Sequence, residues 1–76
     1  MQWKLEMVLY SHRLNSILQQ VVVELGLDLV LSDENSPLSL QDNEPMLKET
    51  AMMLNVDVKK LSAKNGSILF KFQRRA

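Results

Sequence analysis

The tetrapeptide Lys64-Asn65-Gly66-Ser67 separates two strand-like runs, Val56–Ala63 and Ile68–Gln73, and constrains the chain more than any other feature. Asn-Gly accepts positive φ at both central positions of a type I′ turn, whose twist matches that of a two-residue β-hairpin. The spacing therefore predicts an antiparallel hairpin at the end of the chain. Ile68, Phe70 and Phe72 fall on one face of its second strand, and Leu69 and Lys71 on the other.

Upstream, the hydrophobic period changes twice. Trp3, Leu5, Met7 and Leu9 alternate with Gln2, Lys4, Glu6 and Val8, the period of a half-buried strand. Ser11 is a candidate N-cap, after which Leu14, Ile17, Leu18, Val21 and Leu25 recur at helical spacing. Gly26 stands where a C-cap wants a left-handed residue, so a helix is expected over 11–25. Its three successive valines, Val21 to Val23, require tertiary packing to stay helical. Leu27, Leu29 and Leu31 then alternate as a second strand. Residues 32–43 read as a loop, with Leu38 and Leu40 dipping toward the core. Asp42 or Asn43 caps a second helix, which Glu44 and Pro45 suit at its first turn. Leu47, Ala51 and Leu54 lie on one face of it, with Met46, Thr50 and Met53 beside them.

The expected order is β-α-β-α-β-β. The expected fold class is α+β: a two-layer sandwich with a four-stranded mixed sheet and two helices on one face. The first strand-helix-strand unit would be a right-handed parallel crossover. Leu14, Ile17, Leu18, Leu47 and Leu54 would face the sheet. At 76 residues the chain has room for one domain, residues 1–76, with a marginal core.

Composition restricts the chemistry. There is no cysteine, so no disulfide, thiolate nucleophile or cysteine metal site. The single histidine, His12, makes a zinc site improbable, and no cofactor or metal is expected. Apolar runs such as Val21-Val22-Val23 fall far below the roughly 20 residues that span a bilayer. No signal-peptide apolar region is read at the start, and a cytoplasmic location is the expectation. Ser11, Ser16 and Ser62 lack a nucleophile-elbow context, and the acids Asp33, Glu34, Asp42 and Glu44 lie in or beside a loop, where solvated acids are expected. The five methionines read as core filler.

Charge is segregated although the net charge is zero. Glu24, Asp28, Asp33, Glu34, Asp42, Glu44, Glu49 and Asp57 face a single base, Lys48, between residues 24 and 57. Beyond them come Lys59, Lys60, Lys64, Lys71, Arg74 and Arg75 without an acid. On adjacent antiparallel strands several of these cations would share a patch, and the open sheet face would suit an acidic protein surface. Specific nucleic-acid binding is not expected, because no groove-filling element is visible. The alternative is a small helix-turn-helix protein: Ala51, Leu54, Val56 and Leu61 fit that motif's apolar skeleton, with Asn55 at the turn. Its recognition helix would start near Asp57 and end within two turns, and Val56 and Val58 prefer a strand.

The order of elements resembles that of the TusA/SirA sulfur-carrier family. Leu27-Asp28-Leu29-Val30-Leu31-Ser32-Asp33 is similar to that family's second strand and its acidic turn. Val58-Lys59-Lys60-Leu61-Ser62-Ala63-Lys64-Asn65-Gly66 and Ile68-Leu69-Phe70-Lys71-Phe72-Gln73-Arg74-Arg75 are similar to its final strands with their basic end. The resemblance implies a cysteine motif where the first strand meets the first helix, and here that junction reads Tyr10-Ser11-His12-Arg13. A serine hydroxyl forms no persulfide, so no catalytic residue carries over. Tyr10, Ser11 and His12 could bind an anion at a helix N-terminus. The expected function is a non-catalytic cytoplasmic protein that works through protein or small-ligand contacts, without the sulfur-relay cysteine. The candidate contact residues are Tyr10, Ser11, His12, Arg13, Lys59, Lys60, Lys71, Arg74 and Arg75.

Overall fold

A computed structural model describes residues 2–36 and 38–75, with side chains from Val8 onward except that of Asn35. The elements are α1 (Gln2–Ile17), a π-helical continuation (Leu18–Glu24), β1 (Leu29–Ser32), a 3₁₀ turn (Asp33–Asn35), α2 (Glu44–Met53), β2 (Val56–Ser62) and β3 (Ile68–Arg74). The class is α+β, with a three-stranded sheet of order β1-β3-β2 in which both pairings are antiparallel.

The expected first strand is a helix. Residues 2–9 and the expected helix at 11–25 form one helical rod, so the expected fourth strand and the parallel crossover are both missing. The alternation of Trp3, Leu5, Met7 and Leu9 is genuine, but Trp3, Met7, Tyr10 and Leu14 also recur every three or four residues. Gln2, Lys4, Leu5, Glu6 and Met7 are good helix formers, and no glycine or proline interrupts the chain before Gly26. With nothing to stop it, the helix runs through Ser11, which is an interior residue and not an N-cap.

The rod changes geometry as it crosses the sheet. The Leu25 amide donates to the Gln20 carbonyl five residues back (3.2 Å), the bonding of a π-helix. Such turns are wider than α-helical ones and hold a step of four residues on one stripe. Leu14, Leu18 and Val22 are buried accordingly, whereas Ile17 is 42% exposed and Leu25 66%. Ile17 was expected to face the sheet. Val21 and Val23 pack against the core from the flanks of Val22. Gly26, at φ +70°, ends the rod as expected.

Asn43 occupies the N-cap of α2, and Pro45 lies in its first turn. Leu47, Thr50 and Ala51 form the buried stripe of α2. Leu54 is half-buried against the core. Met52 and Met53 fall off the stripe and are 71% and 72% exposed, so these two are not core filler. Leu40 does dip inward to complete burial, and its amide donates to Asp33 Oδ1 (2.5 Å). The core joins Leu14, Leu18, Val22, Leu40, Leu47, Ala51, Val56, Phe70 and Phe72.

The hairpin forms where expected, with a different turn. Ser62 pairs with Ile68, and the Gly66 amide donates to the Ala63 carbonyl (3.0 Å). Only Gly66 takes positive φ (+87°) in a three-residue loop, the pattern of a type I turn followed by a left-handed glycine. Asn65 instead accepts the Ser67 amide on its side-chain oxygen (3.1 Å).

Candidate functional site

Helical geometry divides the stretch Tyr10-Ser11-His12-Arg13 between two grooves, with Tyr10 and Arg13, three residues apart, on one side and Ser11 and His12 on the other. Val8, Ser11, His12 and Asn15 look toward Met46, Thr50 and Met53 of α2 across a groove of about 530 Å³. Its floor is polar: Thr50, nearly fully buried, donates to the Met46 carbonyl (2.9 Å) and lies 3.5 Å from Ser11 Oγ. Tyr10, Arg13, Leu14 and Ile17 look the other way, toward Val30, Leu31 and Ser32 of β1 and the Ser36 loop. This second groove, about 400 Å³, is mainly apolar, and Tyr10 Oη and Ser36 Oγ, 3.5 Å apart, meet beside it.

The expected anion site at a helix N-terminus does not form. Tyr10, Ser11 and His12 lie inside α1, where backbone amides are spent on carbonyls four residues back. The side-chain contact of Ser11 there is with Thr50.

The cations of the last third separate in the same way. Lys59 and Lys71 are direct cross-strand partners on the sheet face opposite Phe70 and Phe72, the face that carries no helix. Asp28 lies beside Lys71 (Nζ to Oδ2, 3.4 Å), and Asp57 on the same face accepts from Gln73 Nε2 (3.4 Å). Val30, Leu61 and Leu69 occupy the rest of that face, which is thus mixed in character where a basic one was expected.

Lys60 points to the helix side and, with Lys48, brackets Glu44 (3.2 and 3.0 Å). The hydrogen bonds from Lys48 and Lys60 hold the Glu44 carboxyl below its usual range. Arg74 Nη2 donates to the carbonyl of Val23 at the end of the π segment, a cation on the negative end of the helical rod. Arg75 reaches Asn55 Oδ1 (3.5 Å). Of the nine expected contact residues, the structure therefore brings together only Tyr10 with Arg13, Ser11 with His12, and Lys59 with Lys71.

Val56–Ser62, where a recognition helix would begin, is strand β2. No helix among the described residues is long and apolar enough to cross a membrane.

Comparison with family models, with curated proteins and with solved structures finds no match.

Sequence reasoning missed Ile17, Val30, Leu31 and Ser36 as groove residues. Ile17 was assigned to the core on the α-helical period. Val30 did carry a signal, since its position between Leu29 and Leu31 puts it on the opposite sheet face.

Proposed function

We propose that this protein is a non-catalytic contact module of the cytoplasm, which binds a polypeptide partner and performs no bond chemistry. The observation that carries this reading is the apolar groove between α1 and β1, bordered by the exposed Ile17 and Val30. A groove that keeps the branched aliphatic Ile17 in water along its helix wall, beside the uncharged edge of β1, gains free energy when a partner covers it. The hydroxyl of Ser11 faces Thr50, and Lys60, Lys71, Arg74 and Arg75 are occupied in ion pairs, at a helix end and at a turn. That arrangement favours binding over general acid–base work, which needs a base within hydrogen-bond reach of its proton. The missing relay cysteine of the sulfur-carrier resemblance points the same way.

Photocrosslinking tests the reading. A benzophenone side chain placed at Val30, in cells that make the protein, should yield one discrete adduct of higher mass. Ile17→Asp, which puts a charge on the helix wall of the groove, should suppress that adduct. Adducts that persist with Ile17→Asp, or none from position 30, would remove the groove from the function.

A further inference from the structure

We infer that the groove receives an extended acidic segment of a partner protein as a fourth strand beside β1, with Arg13 holding its carboxylate. This deepens the contact-module reading and rests on it.

The first observation concerns the two edges of the sheet. The order β1-β3-β2 leaves one side of β1 and one side of β2 without a strand neighbour. On β2 the edge carries Lys59 and Lys60, the kind of charged edge that discourages further strand pairing. On β1 the four residues Leu29–Ser32 carry no charge. An open, uncharged edge is a template for another strand, and it exists here on one side only.

The second observation is where the groove runs. Val30 and Leu31 both line it, although consecutive strand residues point to opposite faces of a sheet. A cavity touching both follows the outer edge of β1. Across from that edge, Tyr10, Leu14 and Ile17 of α1 form an apolar wall. An edge strand flanked by a helix supplies main-chain hydrogen bonds on one side and side-chain contacts on the other, which is how strand addition gains both affinity and selectivity.

The third observation sets the chemistry of the occupant. Arg13 is the one charged residue on the groove, and it is exposed. The ion pairs among the described residues are Lys48–Glu44, Lys60–Glu44 and Lys71–Asp28, so Arg13 has no carboxylate partner among them. A guanidinium matches a carboxylate with two parallel hydrogen bonds. An extended segment with apolar residues at alternate positions and an Asp or Glu opposite Arg13 fits edge, wall and charge together.

The experiment is selection of random dodecapeptides, displayed on phage, against the immobilised full chain. The selected peptides are then titrated into isotopically labelled protein and followed by amide chemical shifts. The expected peptides alternate apolar residues around an acid and shift the amides of Leu29 to Ser32. Arg13→Gln, with an unchanged melting midpoint, should weaken them about fivefold, as should replacing the peptide's acid by its amide. Peptides that shift β2 or the helix-free sheet face, and are indifferent to Arg13→Gln, would overturn this inference and leave the contact-module reading standing. Shifts of the β1 amides with protein concentration alone would overturn it in favour of a second copy of this chain. Recovery of no binding peptide would count against both.

Discussion

At the residue scale, two glycines occupy the same backbone region in different surroundings. Gly66 has φ +87°, and nothing lies within 4 Å of where a Cβ would stand. Gly26 has φ +70°, but a Cβ there would meet the Arg74 guanidinium at 3.3 Å. Gly66→Ala should therefore cost only the left-handed strain, about 1 kcal/mol. Gly26→Ala adds displacement of Arg74 from the Val23 carbonyl and should cost about 2 kcal/mol. In an Arg74→Ala background the two alanine variants should become equal, which urea midpoints would show. Glu44 supplies a pH-dependent counterpart. Its carboxyl is held below the usual carboxylate range because Lys48 and Lys60 bond the carboxylate. A depressed acid contributes stability that is full above its unfolded pKa and is lost as pH falls through the folded one. Melting curves between roughly pH 6 and pH 3 should show wild type above Glu44→Gln at the upper end and converging with it at the lower. Added salt should shrink the gap, since these side chains are solvent-accessible.

At the element scale, the helical rod decides what was legible. Sequence spacing located the C-cap at Gly26, the start of α2 at Asp42 or Asn43, the buried Leu47 and Ala51, and the hairpin around Gly66, because each depends on a local demand. It misplaced residues 2–9, where two periods fit the same apolar residues and only packing against the rest of the fold chooses. It also misjudged Ile17, because nothing local tells which stripe of a helix the distant sheet will cover. The groove was illegible for the same reason: it exists only once α1 extends past β1 and leaves Ile17 exposed beside that edge. Neighbouring alanine substitutions test this. Leu18 is fully buried, so Leu18→Ala should cost about 2–5 kcal/mol. Ile17 is 42% exposed, and Ile17→Ala should stay within about 1 kcal/mol. Equal losses in chemical denaturation would restore the α-helical stripe and bury the wall of the groove.

At the scale of the whole molecule, the extents of 37 × 30 × 17 Å describe one helical layer on one sheet. A body this thin cannot bury both faces of its sheet, so Lys59, Lys71, Val30, Leu61 and Leu69 stay on an open side. The basic C-terminal third thus does not become a basic surface. Lys59 and Lys71 face outward, Lys60 turns to Glu44 on the helix side, and Arg74 and Arg75 are engaged with Val23 and Asn55. With a net charge of zero there is also no net positive charge to gather a polyanion. Duplex DNA laid on the open face would meet the ammonium groups of Lys59 and Lys71, with Asp28 and Asp57 beside them. Each phosphate neutralised contributes a slope of about −0.9 in the logarithm of affinity against that of salt. The expected slope is therefore no steeper than about −2, with a dissociation constant no tighter than about 100 μM at physiological salt. Fluorescence anisotropy of a labelled duplex across a salt series measures both quantities. A slope of −5 or steeper would mean that the dispersed cations converge on the DNA, which requires Lys60, Arg74 and Arg75 to leave the partners that now hold them.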